Sequence, residues 1–206
     1  MDPRTLIEAL AVAGRLKDVT RHCDTAHGRR ESVAEHSWRL TLLAYFVSDE
    51  FPEADLTKLL KMCLIHDLGE AFTGDIPSFE KTAANEARED ELLDGWVASL
   101  PEPFRAEMQA LYAEMNALES LEARIYKALD NLEAVIQHNE APLSTWLPLE
   151  YDLQMTYGTD KAAFSEYLTR LRDEVREDSR RKIAGRCPEP LAAAGRLGRL
   201  PLAAAE

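Results

Sequence analysis

The chain has 206 residues, the length of one ordinary domain, and 46% of them are hydrophobic, enough for a core and too many for wholesale disorder. Its 24 basic and 37 acidic side chains leave a formal charge of −13, so the body repels nucleic acid and an anionic ligand needs a local basic pocket. Three scattered cysteines, Cys23, Cys63 and Cys187, form no CxxC pair and suit reduced thiols in the cytoplasm better than a disulfide framework. No basic, apolar leader is visible, and no apolar run nears the ~20 residues that span a bilayer, so we expect neither signal peptide nor membrane contact.

Apolar residues recur every three or four positions almost throughout, and no sustained alternation appears, so the expectation is an all-α fold. Residues 4–17 predict a first helix. A polar stretch with Asp24, Gly28 and several basic side chains follows and reads as a functional loop. Ser32-Val33-Ala34-Glu35 is a capping box, in which each side chain satisfies a free backbone N–H of the other. The helix it opens is expected to reach Asp49 and to end at Phe51-Pro52. Asp55-Leu56-Thr57 opens the next, with Leu59, Leu60, Cys63 and Leu64 on its apolar side, His66 and Asp67 near its end, and a fade toward Gly74. Ile76-Pro77-Ser78 reads as a turn.

An acidic helix is expected over 82–100, broken by Pro101 and Pro103 and resumed over 104–116. A further helix over 119–139 buries Leu121, Ile125, Leu129, Leu132 and Ile136. Residues 142–158 read as a long connection with several aromatics, and 160–184 as a last amphipathic helix. One domain over 1–184 is therefore expected, followed by a loosely ordered tail over 185–206, rich in Ala, Gly, Pro and Arg. No internal repeat is visible.

Four side chains are costly to bury without a reason. His36 lies in the first turns of its helix, His66 and Asp67 are adjacent near the end of an apolar helix, and Asp130 interrupts a largely apolar run. An ionised carboxylate in such a place is paired or bound to metal. Two imidazoles and two carboxylates form a mixed nitrogen and oxygen set that suits one divalent ion among Mn, Co, Fe, Ni, Zn and Mg. Each residue also has a plainer reading: a lone histidine is usually structural, and Asp130 has Lys127 and Arg124 on its own helix as partners. The order and helical placement of the set tip the balance. Arg15, Lys17, Arg21, Arg29 and Arg30 crowd one stretch of this acidic chain, and guanidinium groups suit phosphate; a solvated surface loop is the alternative for Arg29 and Arg30.

His36…His66-Asp67…Asp130 resembles the H…HD…D signature of the HD-domain superfamily. The segment Glu31 to Ser37 (ESVAEHS) is similar to the E-x-V-x-E-H-S stretch of the bacterial HD-domain 5′-deoxynucleotidases and their eukaryotic relatives. His66 to Pro77 (HDLGEAFTGDIP) is similar to their H-D-x-x-E-x-x-T-G-D-x-P stretch at every fixed position, and Leu129 to Ala134 resembles their last metal-binding helix. The resemblance covers about residues 5–140. It implies an all-α HD-domain bundle with a single metal site, and His36, His66, Asp67 and Asp130 as metal ligands. It also implies Glu70 and Asp75 as the acids beside the metal and Arg21 as the grip on a substrate phosphate.

The family usually carries a tryptophan directly after that arginine. Here the position is His22, a smaller and polar ring that changes the sugar-side wall of the pocket, so ribonucleotides and other monoesters stay open as substrates. The expected activity is metal-dependent hydrolysis of a small phosphomonoester, foremost a (deoxy)nucleoside 5′-monophosphate, by a cytoplasmic homodimer with the aromatic stretch at 142–157 at its interface. A non-nucleotide or diphosphate substrate is one alternative. A non-catalytic metal-containing sensor is another, and it predicts loss of the acids that Glu70 and Asp75 supply. A helical interaction module built on the acidic faces leaves the His/Asp set unexplained. No histidine stands between Asp67 and Asp130, which argues against a two-metal redox site.

Overall fold

The computed structural model describes residues 1–185; Cys187 and the expected loose tail from residue 186 onward lie outside them. Helices make the frame, as the periodicity predicts. They are α1 (Pro3–Gly14), α2 (Val33–Phe46), α3 (Leu56–Ile65), α4 (Glu70–Thr73) and α5 (Ala83–Ser99), then α6 (Phe104–Ala117), α7 (Leu121–Glu140), α8 (Glu150–Thr156), α9 (Thr159–Ala162) and α10 (Glu166–Ile183). None of the described helices is long and apolar enough to cross a membrane.

The long α7 is the axle, with α2, α3, α6 and α10 packed around it. Ile125, Leu129 and Leu132 form its fully buried apolar stripe, and Asn131, Glu133 and Gln137 are buried on its other sides. Leu40 of α2 and Leu59 and Met62 of α3 join the stripe in one core. Each such side chain contributes about 1.5–3 kcal/mol on burial. Local signals fix where the helices begin. Ser32 and Glu35 cap α2 in the expected box, Asp55 caps α3 by accepting from Lys58 N at 3.1 Å, and Thr82 and Asn85 box the start of α5.

The structure departs from the sequence expectations in several places, and the single helix expected over 160–184 is broken into α9 and α10. The first helix stops at Gly14 and passes into a tight 3-10 turn over Arg15–Lys17. The basic stretch is not a loop but an antiparallel hairpin of β1 (Thr20–Asp24) and β2 (Arg30–Ser32), with Thr20 opposite Ser32 and Asp24 opposite Arg30. Gly28, at φ 78°, turns between the strands, a conformation that favours glycine. Helix α3 ends at Ile65, and Leu64 is exposed rather than on the buried side. The connection over 142–158 contains a 3-10 turn (Leu143–Thr145) and α8. Its Trp146 is buried and donates from Nε1 to His138 O at 3.0 Å, so this aromatic packs inward. The largest exposed aromatics are Trp38, Tyr45 and Phe46 on α2.

Arg172 of α10 is fully buried. Its Nε donates to Tyr157 O and its NH2 to Gln154 O, both at 2.8 Å. The last turn of α8 is thereby closed by a cation, the sign that helix C-terminal carbonyls favour.

Candidate active site

His36 follows the α2 capping box directly and is fully buried. Its Nδ1 makes a short hydrogen bond to Glu133 Oε2 of α7. His66 sits just past the end of α3, and its Nδ1 lies 3.0 Å from Cys63 O. A carbonyl only accepts, so Nδ1 carries the hydrogen and Nε2 the lone pair. The same helix end is closed by Tyr112 Oη, which donates to Ile65 O at 2.7 Å. Both imidazoles are thus anchored through Nδ1 with Nε2 turned inward, the pattern of metal-ligating histidines.

Four donor atoms converge there. The two Nε2 atoms are 3.2 Å apart. Asp67 Oδ2 lies 2.9 Å from the His66 Nε2 and 3.8 Å from the His36 Nε2. Asp130 Oδ1 lies 3.2 Å from His36 and 3.6 Å from His66. Its Oδ2 meets Lys127 Nζ at 2.8 Å, so the plain reading of Asp130, a pair on its own helix, and the site reading both hold, one oxygen each. Burial works against the charge on Asp67, but His66 and His36 outweigh it and hold the carboxyl down at about 2. Asp130 is likewise held well below the carboxylate range by Lys127 and the imidazoles against its burial. Burial and Arg21 push His36 down, yet Asp130 and Glu133 hold it up at about 9. Without an ion the carboxylates of Asp130 and Glu133 hold a proton on His36, and a divalent ion would take the place of that positive charge; two imidazoles with two carboxylates fit such an ion.

A pocket of about 320 Å³ opens beside this cluster, with Arg21, His22, Glu70, Asp75, Lys81 and Lys127 among its walls. The turn after α3 brings Glu70 N to Asp67 O at 3.0 Å, and Glu70 opens α4 rather than continuing α3. Glu70 is buried, and its Oε2 has no hydrogen-bond partner. Burial, then the charges of Asp67, Asp75 and Glu89, push it up to about 10. Gly74, at φ 79°, swings the chain so that Asp75 returns to the pocket wall. Burial raises the Asp75 carboxyl against the pull of Arg21.

Arg21 lies on β1, where NH1 reaches Glu31 Oε2 at 3.0 Å and Glu133 Oε2 at 3.3 Å. Glu133 Oε1 accepts from Arg39 Nε at 2.6 Å. One buried carboxylate therefore joins a cluster histidine to the pocket arginine. Arg29 and Arg30 are exposed, pair with Glu35 and Asp24, and do not line the pocket.

The far end of the pocket has a different character. His22 meets Phe79 edge-on, with ring centres 5.6 Å apart. His22 Nε2 lies 3.2 Å from Glu150 Oε1 but off the line a hydrogen bond needs. His138 Nε2 reaches the same oxygen at 2.8 Å, and Glu150 Oε2 accepts from Leu147 N at 2.6 Å. The structure thus brings together all eight residues singled out from sequence, in the cluster or the pocket wall. Sequence reading missed Glu133, although its place three residues after Asp130 marks it, and it missed Lys81, Glu150 and Gln154, for which no local signal exists.

A helical frame that gathers two histidines and two aspartates beside a pocket of about 320 Å³ with Arg21, Lys81 and Lys127 in its walls is the arrangement of a metal-dependent hydrolase. Residues 13–172 match the HD domain model, and the chain belongs to the HD-domain family. It is 29% identical over 195 residues to the human 5′-deoxynucleotidase HDDC2, covering 91% of this chain and 92% of that one. It is 29% identical over 192 residues to the Bos taurus protein of the same name, with the same shares covered. Its fold is similar to the crystal structure of the "Predicted metal-dependent phosphohydrolase" of Magnetospirillum magnetotacticum MS-1. That likeness has a TM-score of 0.72 at 25% identity and covers 90% of this chain and 98% of the other. The chain is a metal-dependent phosphohydrolase of this family.

Proposed function

We propose that His36, His66, Asp67 and Asp130 hold one divalent ion and that the enzyme hydrolyses a (deoxy)nucleoside 5′-monophosphate to nucleoside and phosphate. The observation that carries this reading is the convergence of two Nε2 atoms and two carboxylate oxygens, with both Nδ1 atoms committed elsewhere. The relatives named 5′-deoxynucleotidase support the substrate class. When bound, a divalent ion polarises a phosphoryl oxygen and makes nearby water a nucleophile near neutral pH.

The protein's own groups do the rest. The Arg21 guanidinium, fixed by Glu31 and Glu133, binds the phosphate of the substrate. Glu70 and Asp75 stand beside Asp67, whose charge raises the proton affinity of both, and Asp75 raises that of Glu70 further, so Glu70 holds a proton while Asp75 accepts one. Water loses its proton to this pair, and the leaving 5′-oxygen takes one from it. His22 and Phe79 wall the sugar side. The chain acts as a cytoplasmic homodimer in this reading, and the exposed aromatic face of α2 supports a pairing surface.

The test is phosphate release from all 5′-deoxy- and ribonucleotides and several non-nucleotide monoesters, with Mn, Co, Mg or chelator. Metal-dependent release that falls by about 10²–10⁴-fold in Glu70→Ala is expected. Release that survives chelation, or none with any metal, overturns the reading.

A further inference from the structure

Glu133 is 1% exposed and stands directly behind the donor cluster. The carboxylate of a glutamate turns about its last bond in a broad, shallow well, so the rotamer alone does not aim its oxygens. Contacts must do so, and here both oxygens are taken. Oε2 meets His36 Nδ1 and, at 3.3 Å, Arg21 NH1. Oε1 accepts from Arg39 Nε at 2.6 Å, the single hydrogen bond to that oxygen among the described residues.

His36 and Arg39 are three residues apart on α2, so they share one helix face. That face grips one carboxylate by both of its oxygens. Arg39 is itself clamped, because its NH1 also binds Glu140, two turns beyond Glu133 along α7. Its NH2 is buried with no partner, so Nε and NH1 alone orient the guanidinium. Arg39 does not line the pocket. Removing it would leave Oε1 bare inside the core. The carboxylate could then find a new partner for Oε1 only by turning, and a turn withdraws Oε2 from His36 and Arg21.

We propose that Arg39 is a positioning residue of the active site. It fixes the plane of the Glu133 carboxylate and, through that one group, the ring of His36 and the guanidinium of Arg21. This rests on the reading of His36 as a metal ligand and Arg21 as the phosphate grip. Arg39 touches neither metal nor substrate. Helix α2 thus carries both a donor and the side chain that keeps the donor's partner in place.

The experiment measures Mn binding by calorimetry, with kcat and KM for a deoxynucleoside 5′-monophosphate. The proteins are the wild type, Arg39→Met, Glu140→Gln, Glu133→Gln and the double variant of Arg39→Met with Glu133→Gln. Arg39→Met is expected to weaken Mn binding about 10-fold, the low end for groups that support metal ligands, and to raise KM. In the Glu133→Gln background the same substitution should change Mn affinity less than about 2-fold, because the route to the site is already cut. Glu140→Gln, which breaks only the outer pair of this arginine, should also stay within about 2-fold. Unchanged Mn affinity in Arg39→Met, or an equal loss with and without Glu133, overturns the proposal. So does a loss in Glu140→Gln as large as in Arg39→Met, the mark of a merely structural pair. If Arg39→Met does not fold, Arg39→Lys takes its place in the same comparison, since one ammonium cannot fork between Glu133 and Glu140. If the wild type binds no Mn, the ligand reading fails on its own. Nitrogen-15 NMR then decides the role of Arg39. The His36 Nδ1 proton should exchange about 10-fold faster in Arg39→Met, the value of one hydrogen bond, and unchanged exchange overturns the proposal.

Discussion

At one end of the pocket His36, His66, Asp67 and Asp130 meet from α2, the turn after α3, and α7, the elements that form the apolar core. At the other end His22, Phe79, Glu150 and Gln154 come from a short hairpin, a turn and a two-turn helix. The first end is crowded with charge, and nearly every polar atom is held by a second residue behind it. The second is more apolar, with the Glu150 carboxylate already paired and the Gln154 amide oxygen buried without a partner. Catalytic groups need fixed geometry, which long packed helices supply. A surface that sorts substrates needs only a few well-placed contacts, and short elements can carry them.

Three changes sharpen this contrast. The largest effect is expected from His66→Ala, which removes a converging donor. Residues that merely support metal ligands cost about 10–100-fold in metal affinity, so loss of a donor should exceed about 100-fold in metal affinity and in phosphate release. Metal titration with calorimetry checks this, and an unchanged affinity would break the assignment. Glu133→Gln comes next. It keeps the size of the side chain but weakens the hold on His36, Arg21 and Arg39 together. Metal affinity should fall about 10–100-fold, with KM rising as well because Arg21 loses its anchor. A change in KM with no change in metal affinity would separate the two roles.

Glu35→Gln should do least. Arg29 and Ser32 hold the Glu35 carboxyl down at about 2. A depressed carboxylate contributes stability that is fully present above its ordinary pKa of 4.5 and is lost as pH falls through about 2. The side chain is 42% exposed, so solvent screens the pair and the contribution is about 1 kcal/mol at most. Thermal denaturation should show the variant about 2–4 °C less stable at neutral pH. The gap should close between pH 4.5 and 2, and a gap that widens in acid would reverse the sign argued here.

The charged end was legible in the sequence because its residues obey local rules. Ser32 and Glu35 announce the start of α2, and the placement of His66, Asp67, Glu70 and Asp75 around one helix end is written in consecutive residues. The helical frame was legible for the same reason, through the stripe at Ile125, Leu129 and Leu132. The hairpin was not. Its strands have five and three residues, and the inward positions of β1 include Arg21 beside Cys23, so no apolar alternation marks them. The α8 end was not legible either. Glu150 and Gln154 become pocket residues only because Arg172 and His138, distant in sequence, hold that helix in place.

Arg172 carries a consequence beyond the pocket. Burial pushes its guanidinium down to about 10, so at neutral pH it stays charged, and its charge rests on the two α8 carbonyl dipoles rather than on an acid. Unravelling α8 alone would strand a cation inside the protein, and releasing α10 alone would leave the same carbonyls bare. The two helices are therefore expected to open together, although more than ten residues of chain separate their hydrogen-bonded partners, and amide exchange with one common opening free energy for α8 and α10 would show it.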